Sequence, residues 1–437
     1  MGATDTDRQT WCRPTSGGSP MTGRGAVEIE AVLVALDVGT SKVVALVGEV
    51  TREGTVNIIG KGTAASNGLK KGQVINIEQT VASIRTAVEA AERLSGLRLE
   101  AAFVGVGGSQ IESLNSRGAV AVSGPHREVS REDVDRATEV ARAVTIPNNR
   151  EVLHVLPRDF TVDGQEGVKD PIGMSAVRLE VETHIVHGSA TALQNLTKCV
   201  RQAGVRVDEL VIASLASGEA VLSETERELG VAVADIGAGT TDLALYLEGS
   251  PFHTSVLPLG GLNVTNDVAI GLKTNLVAAE QLKLRFGTAD PSSVAEDERI
   301  ALDLVGEEGD RTADRIEVAR IIEARTREIL EKLGEQLEKG SDGMRLPAGL
   351  VLTGGGALLA GTADLGREVL GMPVRVATPS GVGGLTDGLL SPAYSTSIGL
   401  LCWAARVVTA HEPVRYESAP AGGSLGRFRE WFRTLFP

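Results

Sequence analysis

A chain of 437 residues, 42% apolar and 23% charged, is long enough for two to four domains and a large buried core. Its formal net charge of −14 argues against general nucleic-acid binding, because phosphate contacts need a basic surface. Aromatic residues are only 3%, so Val, Ala, Leu and Ile must build the core, and no run approaches the roughly 18 to 20 unbroken apolar residues of a membrane span.

Residues 1–30 are polar and rich in Gly, Thr and Arg, without the apolar centre of a secretory signal; they are expected to form a disordered leader, with Met21 as an alternative start. Cys12, Cys199 and Cys402 form no metal or redox spacing, and so sparse a set fits a reducing cytosol. Ordered structure is expected from Ala31. Residues 31–36 and 43–50 are apolar and β-branched, and Asp37-Val38-Gly39-Thr40-Ser41-Lys42 turns between them. The order is strand–turn–strand, whereas a dinucleotide fold needs a helix directly after the glycines. Residues 57–63 continue the sheet. Residues 80–94 predict a helix, with Val81, Ile84, Val88, Ala91 and Leu94 at helical spacing and Gly96 as its stop. A buried strand is expected over 101–106.

Residues 123–188 read as a separate α+β insertion. Ser130 caps a helix with Asp133 at its third position, Val134, Ala137, Ala141 and Val144 form the buried face, and alternating strands follow at 152–160 and 176–186. A helix resumes over 191–203. The second half then repeats the plan of the first. A strand at 231–234 runs into Asp235-Ile236-Gly237-Ala238-Gly239-Thr240-Thr241-Asp242, and a strand at 243–247 follows. Helices are expected at 263–271, 276–286 and 314–337. The strand Leu350-Val351-Leu352 enters a third glycine cluster, Thr353-Gly354-Gly355-Gly356-Ala357. Residues 377–391 are loop-rich, 396–408 form an apolar helix and 411–423 a polar linker.

Glycine turns let backbone N–H groups converge on phosphate oxygens, since no Cβ blocks the approach. Gly39, Thr40 and Ser41 would donate from one side and Gly237, Ala238, Gly239, Thr240 and Thr241 from the other, with Lys42 neutralising phosphate charge. Two turns of one grammar, each launched by an aspartate at a strand end, predict a duplicated domain gripping a polyphosphate. Asp37 and Asp235 would repel that polyphosphate unless a cation intervened, so they are expected to hold Mg²⁺, directly or through water, with Asp242 ordering the water shell.

On these residues the chain resembles the actin/chaperone/sugar-kinase superfamily and, within it, the FtsA family of bacterial cell-division proteins. Residues 37–42 resemble the first phosphate motif, 235–242 the second and 352–358 the adenosine motif, where Gly354, Gly355, Gly356 and Ala357 pass the nucleoside. Ala279-Glu280-Gln281-Leu282-Lys283 resembles the segment whose Glu280 and Lys283 touch ribose and base. Residues 215–222 and 395–401 resemble the two connecting helices. Further similar phrases are Gly68-Leu69-Lys70-Lys71-Gly72, Glu228-Leu229-Gly230, Ile322-Glu323-Ala324-Arg325 and Gly384-Leu385-Thr386-Asp387. One departure is Ala238, where many relatives carry glycine. Glu219 aligns with the position that orients the attacking water in actin-like proteins, which makes it a candidate catalytic residue with Asp235.

The resemblance implies an α/β, actin-like duplicated ATPase fold: two lobes around a nucleotide cleft, a small inserted α+β subdomain and a C-terminal amphipathic helix. The expected layout is a first lobe (1A) of 31–122, 189–213 and 394–410, an insert (1C) of 123–188, a second lobe core (2A) of 214–264 and 345–393, and a subdomain (2B) of 265–344. It implies ATP and Mg²⁺ as cofactors and at most weak ATPase activity. The implied partners are the C-terminal peptide of the tubulin-like division protein FtsZ on 2B, further copies in a filament, and later division proteins on the insert. Its implied place is the cytoplasmic face of the membrane at the division site.

The tail, residues 424–437, is legible from its own pattern. As a helix, Leu425, Phe428, Trp431, Phe432, Leu435 and Phe436 share an arc roughly 140° wide at about 100° per residue. Arg427 and Arg429 flank the arc and Arg433 lies on the polar side. Aromatics at the bilayer interface with arginines reaching anionic lipid describe an in-plane membrane anchor. Other readings on the same fold are a small-molecule kinase, which needs its own substrate pocket and catalytic aspartate, and a pilus-assembly scaffold. A chaperone would need a peptide-binding β-domain after the nucleotide lobes.

Overall fold

The computed structural model describes residues 29–123, 126–302 and 311–409; the linker, the amphipathic tail and the expected leader up to residue 28 lie outside the described residues, while Ile29 and Glu30, expected in the leader, open the first strand. The chain opens with β1 (Ile29–Val38), β2 (Lys42–Thr51) and β3 (Val56–Ala65), a meander of antiparallel strands. A two-residue hairpin follows, β4 (Leu69–Lys70) and β5 (Gln73–Val74), then α1 (Ile77–Ser95) and β6 (Ala101–Val106). Asn76 caps α1 by accepting from Gln79 N at 3.1 Å, and Gly96 ends it in the left-handed region at φ 71. The helix lies almost on the sheet backbone: a Cβ on Gly62 would stand 1.9 Å from Ala87 O. Its buried face is Thr80, Ser83, Ile84, Ala87, Val88 and Ala91. Leu94, expected on that face, is half exposed, although the last turn still lies on β3, where a Cβ on Gly60 would stand 2.7 Å from Ser95 Cβ.

The insert consists of β7 (Ile111–Ala121), α2 (Arg131–Arg142), β8 (Arg150–Val162), β9 (Gln165–Val168) and β10 (Arg178–Ser189), with sheet order β7-β10-β8-β9. It therefore begins earlier than the expected Ser123. Residues 111–121, assigned to the first lobe by sequence, pair along their whole length with β10. Ser130 and Asp133 form the reciprocal capping box on α2, and Val134, Ala137 and Ala141 pack onto Phe160, Leu179 and Val181. The insert also meets the second lobe. His184 Nδ1 donates to Asn115 Oδ1 at 2.7 Å and its Nε2 accepts from Thr254 Oγ1 at 3.1 Å.

The chain returns through α3 (Ala190–Gln202), β11 (Arg206–Ile212), α4 (Ala213–Val221) and α5 (Glu224–Leu229). The second lobe holds β12 (Val231–Ile236), β13 (Thr241–Leu247), β14 (Ser250–Leu257), α6 (Gly261–Leu272), α7 (Leu276–Phe286), β15 (Arg299–Leu302), β16 (Arg311–Asp314), α8 (Arg315–Ser341), β17 (Leu350–Thr353), α9 (Thr362–Leu370) and β18 (Val374–Val376). Last come β19 (Val382–Gly384) and α10 (Ser395–Thr409).

The two large sheets repeat one topology. In the first, the order β3-β2-β1-β6-β11 has an antiparallel meander followed by two parallel strands; in the second, β14-β13-β12-β17-β18 has the same senses. One departure corrects the expected layout: β19, assigned by sequence to the second lobe, pairs in parallel with β3 and extends the first sheet. Between the sheets α4 and α10 cross so closely that a Cβ on Gly399 would stand 1.7 Å from Ala216 O. Glycine at this crossing lets one helix touch both lobes.

Candidate functional site

Both glycine turns close in the same way. Gly39 N donates to Lys42 O at 3.0 Å and Gly237 N donates to Thr240 O at 2.9 Å. A Cβ would crowd those same carbonyls, at 2.9 Å on Gly39 and 3.1 Å on Gly237. These two glycines, expected to donate to phosphate, therefore spend their amides on the turns themselves. The amides of Thr40, Ser41, Ala238 and Gly239 have no carbonyl or side-chain acceptor among the described residues. The turns also face one another: a Cβ on Gly239 would stand 2.8 Å from Thr40 Oγ1.

Three carboxylates stand behind the turns, Asp235 and Asp242 buried and Asp37 partly so. Asp37 Oδ2 accepts from Ser397 Oγ at 3.0 Å. Asp235 Oδ2 accepts from Thr396 Oγ1 at 2.6 Å and from Ser217 Oγ. Asp242 Oδ2 accepts from Thr240 Oγ1 at 2.9 Å, and the carboxylate also takes a backbone hydrogen bond from Gly108, across the cleft on the first lobe. Successive residues at the start of α10 thus hold the two aspartates that end β1 and β12. Sequence reasoning marked that helix but not its hydroxyls; the available signal was Ser395-Thr396-Ser397 opening an otherwise apolar helix.

Burial pushes Asp37 up to about 6, against the hydrogen bond from Ser397, and the charge of Asp235 adds to the rise. Burial pushes Asp242 up to about 7, again with Asp235 adding. Asp235 is raised by burial as well. Lys42 is lowered by burial, against the pull of Asp37 and Asp235, and its Nζ lies 3.7 Å from the centre of the Tyr394 ring. Among the described residues no three metal-ligating side chains gather at one point. A cation at Asp37 and Asp235 would draw its remaining ligands from water or phosphate, as Mg²⁺ commonly does.

The remaining predicted residues stand around this centre through backbone and side-chain contacts. Gly261 N donates to Gly237 O at 2.9 Å and Leu262 N to Ala238 O at 2.8 Å, which seats the start of α6 on the second turn. Lys283 Nζ donates to Gly261 O at 3.1 Å and lies 2.7 Å from Glu280 Oε2. Thr265 donates its hydroxyl to the same Glu280 oxygen. Thr241 spends its hydroxyl on Leu259 O at 2.9 Å. In the third cluster Gly354 takes φ 83, and a Cβ there would stand 2.2 Å from Asp235 Oδ1. A Cβ on Gly356 would stand 2.3 Å from Ile236 Cγ2, Gly355 is almost open, and Ala357 is buried.

Glu219 does not join the cleft. Its buried carboxylate lies 3.2 Å from Arg227 Nη1 and 3.0 Å from Arg406 Nη1. Burial pushes this group upward, but Arg406 and Arg227 outweigh it and hold Glu219 below its usual range. Ser217 faces Asp235 from the same helix, and two positions along a helix turn a side chain by about 200°. The candidate catalytic role of Glu219 is therefore withdrawn.

The solved structure of a "PilM-PilN type IV pilus biogenesis complex" aligns over 85% of this chain and 98% of its own, with a TM-score of 0.62 at 17% identity. MreB5 of Spiroplasma citri bound to ADP aligns over 87% and 98%, with a TM-score of 0.50 at 12% identity. The duplicated sheets and facing turns define the actin-like ATPase fold. A family model described as "Cell division protein FtsA" matches residues 232–399, and one described as "SHS2 domain inserted in FTSA" matches residues 108–187. The protein of that name from Pseudomonas aeruginosa is 45% identical over 378 residues, 86% of this chain and 90% of its own. That from Escherichia coli K12 is 37% identical over 414 residues, 93% and 98%. The chain belongs to the FtsA family of cell-division proteins. The insert match begins at residue 108, in agreement with the early start of its sheet.

Proposed function

We propose that this chain binds Mg-ATP between its lobes, polymerises, and ties the FtsZ ring to the cytoplasmic face of the membrane. The observation that carries the reading is the pairing of unspent amides with crowded carboxylates. Thr40, Ser41, Ala238 and Gly239 offer donors toward one cleft. Asp37, Asp235 and Asp242 crowd it with acid groups that burial already disfavours as anions. Amides alone would favour an anion and carboxylates alone a cation. A magnesium-bound polyphosphate satisfies both.

Magnesium would supply charge neutralisation between phosphates and carboxylates. Asp37 and Asp235 would hold it, Asp242 would orient its waters, and Lys42 would face the phosphates. Glu280 and Lys283 would take the ribose and base, and Gly354, Gly355 and Gly356 would leave room for the nucleoside. We propose binding as the primary role and hydrolysis as weak at most, since Glu219 is committed to two arginines.

The subdomain at 265–344 is the proposed seat of the FtsZ peptide, and the insert the proposed contact for the next subunit and later division proteins. Among the described residues no helix is long and apolar enough to cross a membrane. The tail, through Trp431, Phe432 and their apolar neighbours with Arg427, Arg429 and Arg433, is the proposed anchor. One such helix binds reversibly, and a filament that aligns many of them raises the avidity. Deleting residues 424–437, or replacing Trp431 and Phe432 by Glu, should release the protein from anionic vesicles in a sedimentation assay. Unchanged co-sedimentation would refute the anchor.

A further inference from the structure

The phrase Gly68-Leu69-Lys70-Lys71-Gly72 forms a hairpin whose tip, Lys71-Gly72, lies where the two turns meet. Gly72 N donates to Thr40 Oγ1 at 3.1 Å, which ties the tip to the first turn. A Cβ on Gly239 would stand 3.1 Å from Lys71 Cα, which sets the tip against the second. The back of the tip rests on the end of β6. A Cβ on Gly72 would stand 2.8 Å from Gly107 O, and one on Gly108 would stand 2.9 Å from Lys71 O.

The residue at this tip is the wrong one for its backbone. Lys71 and Gly72 have φ 50 and φ 74, the pair of positive angles of a two-residue turn that favours Asn-Gly or Asp-Gly. The insert obeys that preference at Asp163-Gly164, with φ 48 and 88, whereas Glu248-Gly249, with φ 52 and 81, departs from it as Lys71-Gly72 does. A lysine gains nothing from the left-handed region and loses backbone stability there. Nor is the side chain spent on packing or pairing. Lys71 is exposed, and among the described residues no carboxylate pairs with it. Its flexible stem carries the ammonium about 6 Å from Cα, ample to reach across the point where Gly239 meets the Thr40 side chain.

We propose that Lys71 is a specificity residue that lays its ammonium on the terminal phosphate of the bound nucleotide, so that the hairpin distinguishes a triphosphate from a diphosphate. The inference rests on the cleft being a nucleotide site. It adds a second cation to Lys42, carried on an element outside the glycine turns. A lysine acts on phosphate as a point charge, so charge should matter more here than exact geometry.

The test uses the full chain with Mg²⁺ and compares ATP and ADP by titration calorimetry in four proteins: wild type, Lys71→Gln, Lys71→Gly and Lys71→Arg. Lys71→Gln and Lys71→Gly should weaken ATP by tenfold or more and leave ADP within twofold, while Lys71→Arg keeps the ATP preference. Lys71→Gly should also raise the Tm of the nucleotide-free protein, since glycine suits the tip; loss of ATP preference in a more stable protein excludes misfolding. An unchanged ATP-to-ADP ratio in Lys71→Gln and Lys71→Gly overturns the proposal, whether both affinities hold or both fall together. If wild type binds ADP and ATP and the variants match it, only the role of Lys71 fails. If wild type binds neither, the nucleotide site itself fails.

Discussion

The turn at Gly39 and the turn at Gly237 share a backbone plan and differ in what they carry. In each, a strand ends in aspartate, a glycine amide closes the loop, and an antiparallel strand leaves. The register then makes the difference visible. Asp37 lies opposite Val44, whereas Asp235 lies opposite Asp242. The first turn ends on the cation Lys42; at the equivalent position the second has Thr240, which donates to Asp242. The two turns share one plan, yet one has the positive charge of Lys42 and the other the extra acid Asp242. The second turn also has Gly239 where the first has Ser41, and that missing side chain lets the turns touch. On the proposed reading, the pair works as one asymmetric site instead of two similar ones.

Breaking the contact should have the largest effect. Gly239→Val puts a side chain onto Thr40 and the Lys71 backbone, and should cost ATP affinity on the order of 100-fold in calorimetry, as lost orientation of a clamped group does. The matching change on the other turn, Ser41→Ala, removes only an exposed hydroxyl and should stay within a few fold. Equal effects would mean that the turns are not specialised.

Removing the extra acid should have an intermediate effect of opposite sign on stability. Asp242→Asn keeps an acceptor for Thr240 and Gly108 but removes a charge from a buried acidic group. The nucleotide-free protein should gain on the order of 2 kcal/mol at pH 8, while the Mg²⁺-dependence of ATP binding weakens. The pH dependence follows the same logic. Asp37 and Asp242 are raised to about 6 and about 7 in the fold, so between pH 4 and 7 the native state holds more protons than the unfolded chain. Their contribution to stability therefore falls as pH rises through that window and levels off above it. Urea titrations of wild type should show this decline, and Asp242→Asn should flatten its upper part.

Asp133 provides the small-effect control. Burial pushes it upward, but hydrogen bonds from Ser130, Ser123 and Arg136 hold it well below the usual carboxylate range. Its sign is the reverse of the cleft acids: its stabilisation is present above pH 4 and is lost as pH falls below it. Asp133→Asn should cost about 1–2 kcal/mol through the weakened cap. It should leave ATP affinity unchanged, because the capping box sits in the insert, away from the turns.

Much of this site was readable in the sequence because aspartate, glycine and a flanking apolar strand are local signals, and all three glycine clusters fall around Asp235 and Asp37. What was missed depended on distant partners. β7 is largely polar and carries Gly118 because α2 lies against it, a Cβ there standing 2.0 Å from Ala137 O; without α2 the segment does not read as a strand. β19 has three residues, two of them glycine, and is a strand only because β3 offers an edge. Glu219 was misplaced because alignment gives a position but not which way a helix is rotated. Ser217, two residues earlier, takes the inward direction toward Asp235. Ser397 and Thr396 were invisible as aspartate partners because about 360 and 161 positions separate them from Asp37 and Asp235.

The most direct test is calorimetric titration of the full chain with ATP at pH 7.5, with Mg²⁺ and with a chelator. A single site per chain, at least tenfold tighter with Mg²⁺ and lost in Gly239→Val, is the predicted result. Binding that ignores Mg²⁺, or that survives Gly239→Val unchanged, would contradict the view that the two turns and their carboxylates form one site.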